Sequence, residues 1–148
     1  REQAKVVGPG VQVGVIDPQR DPLADLPVEG HLEPRLGLEL AVAYEAPSEK
    51  IKVARYYVGE VALELMEATT PDGDVAKFIR KRGEGVFLIA YRVDDVAAGL
   101  KELIDRGANL IDTEPRHLMG NRYAFVMPPQ ETCGVLTEII DGEYDPNG

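Results

Sequence analysis

The chain of 148 residues has one cysteine, no tryptophan, two histidines, and 16 basic residues against 26 acidic ones. The single thiol, Cys133, excludes an internal disulfide and any cysteine-rich zinc site. It fits a reducing compartment, so the cytoplasm is the expected location. The formal charge of −10 argues against nucleic acid as a partner, because phosphate binding needs a basic face. No apolar run approaches the roughly 20 residues that span a bilayer, and no signal-peptide pattern is present. A membrane partner is therefore not expected. With 44% hydrophobic residues the composition is that of an ordinary globular protein, long enough for one domain built from two small modules.

Proline punctuates one region above all. Pro18, Pro22, Pro27 and Pro34 fall within residues 17–36, and a proline inside a helix costs about 3 kcal/mol or more. That spacing predicts a loop with short helical turns at 21–26 and 31–36 instead of a helix. Around it, alternation predicts strands at 11–16, 38–44, 51–58 and 61–66. On the third of these, Val53 and Tyr57 frame Arg55. On the fourth, Ala62, Glu64 and Met66 share a face, and an acid so placed is expensive to bury unless paired or protonated. A short helix is predicted at 75–82, capped by Asp74 and stopped by Gly83. Its last turns carry Lys77, Arg80, Lys81 and Arg82, which suit the helix dipole or form a patch for a phosphate group.

The second half is clearer. The stretch GVFLIAYRVDD at 85–95 predicts a buried strand (86–93) and an acidic turn. An amphipathic helix follows, with Val96, Ala97, Leu100, Leu103 and Ile104 on one stripe, ending at Gly107. Further strands are predicted at 110–112, 122–127 and 135–140, with a polar loop at 113–121 that carries Arg116 and His117. The segment VQVGVID at 11–17 is a weaker copy of the strand at 86–93. Aligning the copies sets Gln12 against Leu88 and Glu64 against Glu138. Each half then reads as strand, connector and three strands, an α+β fold of two such modules (11–66 and 85–141, joined by the helix at 74–82). The two modules are expected to form curved mixed sheets around a shared cavity, where Gln12, Glu64, Leu88 and Glu138 converge.

The text VAKFIRKRGEG at 75–85 and IAYRVDD at 89–95, with LKELIDRG at 100–107, LIDTEPR at 110–116, GNR at 120–122 and GVLTEI at 134–139, resembles the vicinal oxygen chelate superfamily. Within it, these motifs are most similar to the methylmalonyl-CoA epimerases. The resemblance runs from about residue 59 to 141. It implies a divalent metal held from strands one, four, five and eight of the module pair. Carried over by position, Glu64 and Glu138 are kept, but the other two positions hold Gln12 and Leu88. Losing two imidazoles removes the ligands that suit a transition metal. No metal is therefore expected, save a loosely held magnesium or calcium at Glu64 and Glu138.

The resemblance implies an isomerase, epimerase or lyase that moves a proton next to a carbonyl, here without a metal. Glu138 and Glu64 are the expected proton-transfer pair, of which one should retain a proton through mutual repulsion. Gln12, Arg55, Tyr57 and Tyr123 are candidate donors to the oxyanion. Lys77 and Arg80 are candidate anchors for an acyl-CoA substrate, and a homodimer is expected by resemblance. Two alternatives stand beside this. One is a non-catalytic small-molecule or partner-binding module of the bleomycin-resistance type. The other is a true epimerase whose metal site is rebuilt with His31 or His117.

Overall fold

The computed structural model describes residues 11–15, 37–59 and 61–143, the first five by their backbone. The chain divides into two compact units, one spanning Val11–Phe87 and the other running from Leu88 onward. The expected turns at 21–26 and 31–36, His31, and the tail after residue 143 lie outside the described residues.

The N-terminal unit holds β1 (Val11–Val15), β2 (Leu40–Ala46), β3 (Ile51–Val58), β4 (Val61–Ala68) and α1 (Asp74–Arg82). β2 pairs antiparallel with β3, β3 antiparallel with β4, and β1 runs parallel to β4. The β2–β3 turn is closed by Glu49 N–H donating to the Ala46 carbonyl. Lys50 ends it at φ 58, and Gly59 turns the chain into β4 at φ 61. One sheet face carries Ala54, Tyr56 and Leu65, which pack together with Leu38 and Leu63. The register puts Val42, Val53, Arg55, Glu64 and Met66 on the other face. At the start of α1, the cap position belongs to Gly73 and not Asp74, and no side chain caps it. Gly73 packs against Lys50: a Cβ there would lie 3.2 Å from the lysine's Cβ.

The second unit repeats the pairing scheme. β5 (Gly85–Arg92) runs parallel to β8 (Leu136–Gly142), β8 pairs antiparallel with β7 (Asn121–Met127), and β7 with β6 (Arg116–Leu118). Between β5 and β6 lies α2 (Val96–Asp105). Asp95 caps it by accepting from the Ala98 N–H at 2.7 Å. Gly107, at φ 78, ends it. Val96 and Leu100 pack from α2 onto Ala124, Val126 and Ile139. Each such large apolar side chain contributes about 1.5–3 kcal/mol by burial. The N-terminus of α2 is pinned to β8, because Asp141 accepts from Val96 N–H at 2.6 Å. Arg122 on β7 clamps the same carboxylate with Nε at 2.9 Å and Nη2 at 2.7 Å.

One expected strand is displaced. Residues 110–112 are not a strand, and the short strand β6 falls inside the predicted polar loop. The cause lies in β7. Ile111 and Asp112 donate to the carbonyls of Val126 and Phe125, and the Asp112 carboxylate accepts from Phe125 N–H at 2.9 Å. The segment thus hangs on the end of β7 by two backbone bonds and a side chain, too short a contact for a ladder.

Candidate functional site

Two buried glutamates stand out, one in each unit. In the N-terminal unit Glu64 is 6% exposed. It lies directly across from Arg55 in the β3–β4 register. Arg55 Nε donates to Glu64 Oε1 at 2.6 Å, and Nη2 approaches the same oxygen. The guanidinium lies over the Tyr44 ring at 5.8 Å and is hydrogen-bonded to Tyr57. Burial, the largest single effect, works against the charge on Arg55, but Glu64, Tyr44 and Tyr57 together outweigh it and hold the guanidinium pKa above its ordinary value. Glu64 is therefore not the bare carboxylate expected from the sequence: its neighbour is a cation. The structure brings Arg55, Glu64 and Tyr57 together on one face, with Tyr57 at the exposed end (55%).

Gln12 is described by its backbone alone. Its register partner on β4 is Leu63, and Val13 is the residue opposite Glu64. In the second unit the residue opposite Glu138 is Ala90, and Leu88 is opposite Leu136. Matching the two glutamates thus sets Leu88 against Val11, one place from the alignment the sequence alone gives.

Glu138 is 7% exposed, and Phe125 on β7 is its register partner on the side away from Ala90. Leu88, Ala90, Tyr123, Phe125, Leu136 and Glu138 share the sheet face turned away from α2. Leu88 (5%) and Tyr123 (5%) are buried there. The Tyr123 and Phe125 rings meet edge to face with centroids 5.8 Å apart. Sequence reasoning missed Arg116 on this face. Its guanidinium lies 4.8 Å from the Phe125 ring centroid and pairs with Asp112 at 2.8 Å. In the sequence Arg116 falls in a predicted loop, because the displaced strand hides its register. His117 pairs with Arg122 in the β6–β7 register and so lies on the α2 face, away from Glu138. That placement removes it from the ligands a rebuilt metal site at Glu138 needs.

Three of the cations of α1 are turned onto their own surroundings. Lys77 pairs with Asp74 at 3.1 Å, Arg80 Nη1 donates to the Pro71 carbonyl at 2.5 Å, and Arg82 lies over Phe78. Cys133 is exposed, at φ 55 in a turn. Among the described residues no three histidine, cysteine or acidic side chains gather as a metal cage. No helix among them is long and apolar enough to cross a membrane.

Comparison with known proteins adds the family. The chain is 36% identical to the uncharacterized protein YqjC of Bacillus subtilis over 111 residues, which is 74% of this chain and 79% of that one. A methylmalonyl-CoA epimerase from Mycobacterium tuberculosis superposes with a TM-score of 0.81 at 25% identity, covering 97% of this chain and 93% of its own. A Streptomyces coelicolor methylmalonyl-CoA epimerase in complex with 2-nitronate-propionyl-CoA superposes at 0.77 with 28% identity, covering 92% and 94%. The sequence profile of the Glyoxalase/Bleomycin resistance protein/Dioxygenase superfamily matches residues 11–125. With its α+β architecture and its similarity to these epimerases, the chain belongs to the Glyoxalase/Bleomycin resistance protein/Dioxygenase superfamily.

Proposed function

We propose that this protein is an isomerase that moves a proton at the carbon next to the carbonyl of an acyl-CoA thioester, with Glu138 as the proton-transferring carboxylate. The observation that carries the reading is the burial of Glu138 on an apolar face, between Ala90 and Phe125 with Tyr123 beside them. A carboxylate placed beside a bound carbonyl can take up and give back the proton of the neighbouring carbon. In the reaction the C–H proton passes to Glu138, and its electron pair moves onto the thioester oxygen. The electron pair then returns to re-form the carbonyl as carbon takes a proton: from Glu138 on the same face this restores the substrate with exchange, and from a water molecule on the other face it gives the epimer, the hydroxide left behind taking the proton held by Glu138. The substrate class is suggested by the similar epimerases, among them one in complex with methylmalonyl-CoA.

The divalent metal that the family resemblance implies is a poor fit for the side chains present. Leu88 has no donor atom, and a cation at Glu64 Oε1 meets the Arg55 guanidinium already bound there. The reading therefore routes no step through a metal. Glu64, the second carboxylate of the expected pair, is ion-paired to Arg55. A cytoplasmic homodimer completes the proposal.

The test is exchange of the α-proton of methylmalonyl-CoA in deuterated buffer, followed by mass spectrometry. Wild-type protein should accelerate exchange, and Glu138→Gln should slow it by at least about a hundredfold, the usual contribution of a positioned acid–base group. No acceleration by the wild type, or full activity in the variant, would sink the assignment. A second reading, a binding module without chemistry, is favoured by the closed Arg55–Glu64 pair and by Leu88. It predicts saturable binding of the thioester with no exchange at all.

A further inference from the structure

We infer that Arg92 anchors a phosphate group of the coenzyme A tail, at the open end of the sheet face that carries Glu138. The inference rests on the acyl-CoA reading and deepens it. Both residues belong to the second unit.

Arg92 is a cation without a counter-charge. Of the lysines and arginines among the described residues of that unit, all the others are ion-paired. Lys101 pairs with Asp105, Arg106 with Glu102, Arg116 with Asp112, and Arg122 with Asp95 and Asp141. Arg92 meets no carboxylate among the described residues. Its hydrogen bond there runs from Nη1 to the Gly142 carbonyl at 2.6 Å, and its Nε and Nη2 donors have no partner among them.

Its position in the sheet gives that free charge a use. Ala90 is the register partner of Glu138, and Arg92 that of Ile140, so Arg92 lies on the face of Glu138, one pair further along. The face passes from dry to wet in that direction. Leu88, Ala90 and Glu138 are buried, Ile140 is half-buried, and Arg92 and Gly142 are exposed. The bond to Gly142 ties the guanidinium to β8 four residues beyond Glu138, about 13 Å along a strand that rises about 3.3 Å per residue.

That separation is too long for a group on the reacting carbon and suits the far part of the ligand. A CoA thioester has an uncharged pantetheine arm with its phosphates beyond it. The acyl end fits the dry part of the face beside Glu138, and the phosphates need the wet, cationic part. A guanidinium presents a planar fork of donors matched to two phosphate oxygens. The Gly142 carbonyl already holds one arm of that fork, which lowers the entropy lost when a ligand orders the rest. In a chain of net charge −10 the overall field repels phosphate, so an uncompensated cation decides where the tail lies.

Coenzyme A, 3′-dephospho-coenzyme A and pantetheine are the probes, titrated into the full chain by calorimetry, with thermal unfolding recorded for each variant. The wild type should bind coenzyme A saturably and more tightly than pantetheine. Arg92→Met should weaken coenzyme A binding by about tenfold, the loss of one charge-assisted bidentate contact, and leave pantetheine binding unchanged. Arg92→Lys keeps the charge without the fork and should fall between. A loss shared by dephospho-coenzyme A supports an anchor on the pyrophosphate, and a loss confined to coenzyme A supports one on the 3′-phosphate. An arginine that only ties β5 to β8 predicts a lower melting temperature with coenzyme A affinity unchanged. That result, equal losses for coenzyme A and pantetheine, or no coenzyme A binding by the wild type overturns the inference. The two proposals fail separately. Coenzyme A binding that depends on Arg92, without α-proton exchange, removes the isomerase and leaves the anchor. Exchange on methylmalonyl-CoA with an unchanged KM in Arg92→Met does the reverse.

Discussion

Asp141 ties three elements of the second unit together, and its replacement by asparagine measures what that junction contributes. The carboxylate is 3% exposed. One oxygen accepts from Val96 N–H at 2.6 Å and Arg122 Nη2 at 2.7 Å, and the other from Arg122 Nε at 2.9 Å. Asparagine has the same shape but only one acceptor oxygen, so its NH2 group must face a donor whichever way the amide is set. If the oxygen stays on Val96 and Nη2, the Nε contact is lost. A hydrogen bond to a charged group contributes about 1.5–3 kcal/mol. Arg122 is 39% exposed, so water can take up its freed donor, which favours the lower part of that range. The expected cost is about 2 kcal/mol, a fall in melting temperature of about 4–8 °C for a chain of this size. Asp141→Ala also orphans the Val96 N–H at the start of α2 and should cost about 3–5 kcal/mol. Thermal unfolding by circular dichroism, with Lys101→Ala as a surface control, decides it. The Lys101–Asp105 pair is exposed on both sides, so its loss should leave the melting temperature unchanged. An asparagine variant melting within about a degree of wild type, or an alanine variant no worse than asparagine, refutes the argument.

Two further outcomes follow from the same unit. Gly142 sits at φ 83, and a Cβ there would lie 2.6 Å from the Gly120 carbonyl oxygen. The left-handed conformation alone costs an L-residue about 1–2 kcal/mol. Gly142→Ala should therefore lose more than about 2 kcal/mol in chemical denaturation; a loss below half of that would mean the β7–β8 end relaxes freely. Asp95 carries a carboxyl held below its ordinary pKa, chiefly by the Ala98 N–H and then by Arg122. A depressed folded-state pKa gives stability that is present above the unfolded value, about 3.9, and is lost as the pH falls through the folded one. Melting curves of wild type and Asp95→Asn should hence differ at neutral pH and converge in acid below that value. Parallel curves down to the acid limit would show that Asp95 does not cap α2 through its charge.

Local pattern carried a large part of this molecule. Residue pattern alone is enough for the two-module α+β plan, the span of β3, the α2 stripe capped at Asp94 or Asp95, and the buried strand that holds Leu88. All of these follow from periodicities of two or 3.6 and from turn chemistry within a few residues. It also singles out Glu64, an acid inside an apolar alternation, and Glu138 by the alignment of the two halves and by the family resemblance. What it did not determine was who meets whom across strands. Alternation puts Arg55 on one face of β3 and Glu64 on one face of β4, but only the register of those strands sets them opposite each other and turns an expected bare carboxylate into an ion pair. Likewise Asp112 anchors its segment to the end of β7 through Phe125, which moved the short strand to Arg116–Leu118, set Arg116 beside Phe125 and sent His117 to the α2 face. A one-residue slip in pairing flips every side chain to the other face. Faces and partners therefore depend on contacts between residues far apart in the chain, and only the tertiary structure decides them.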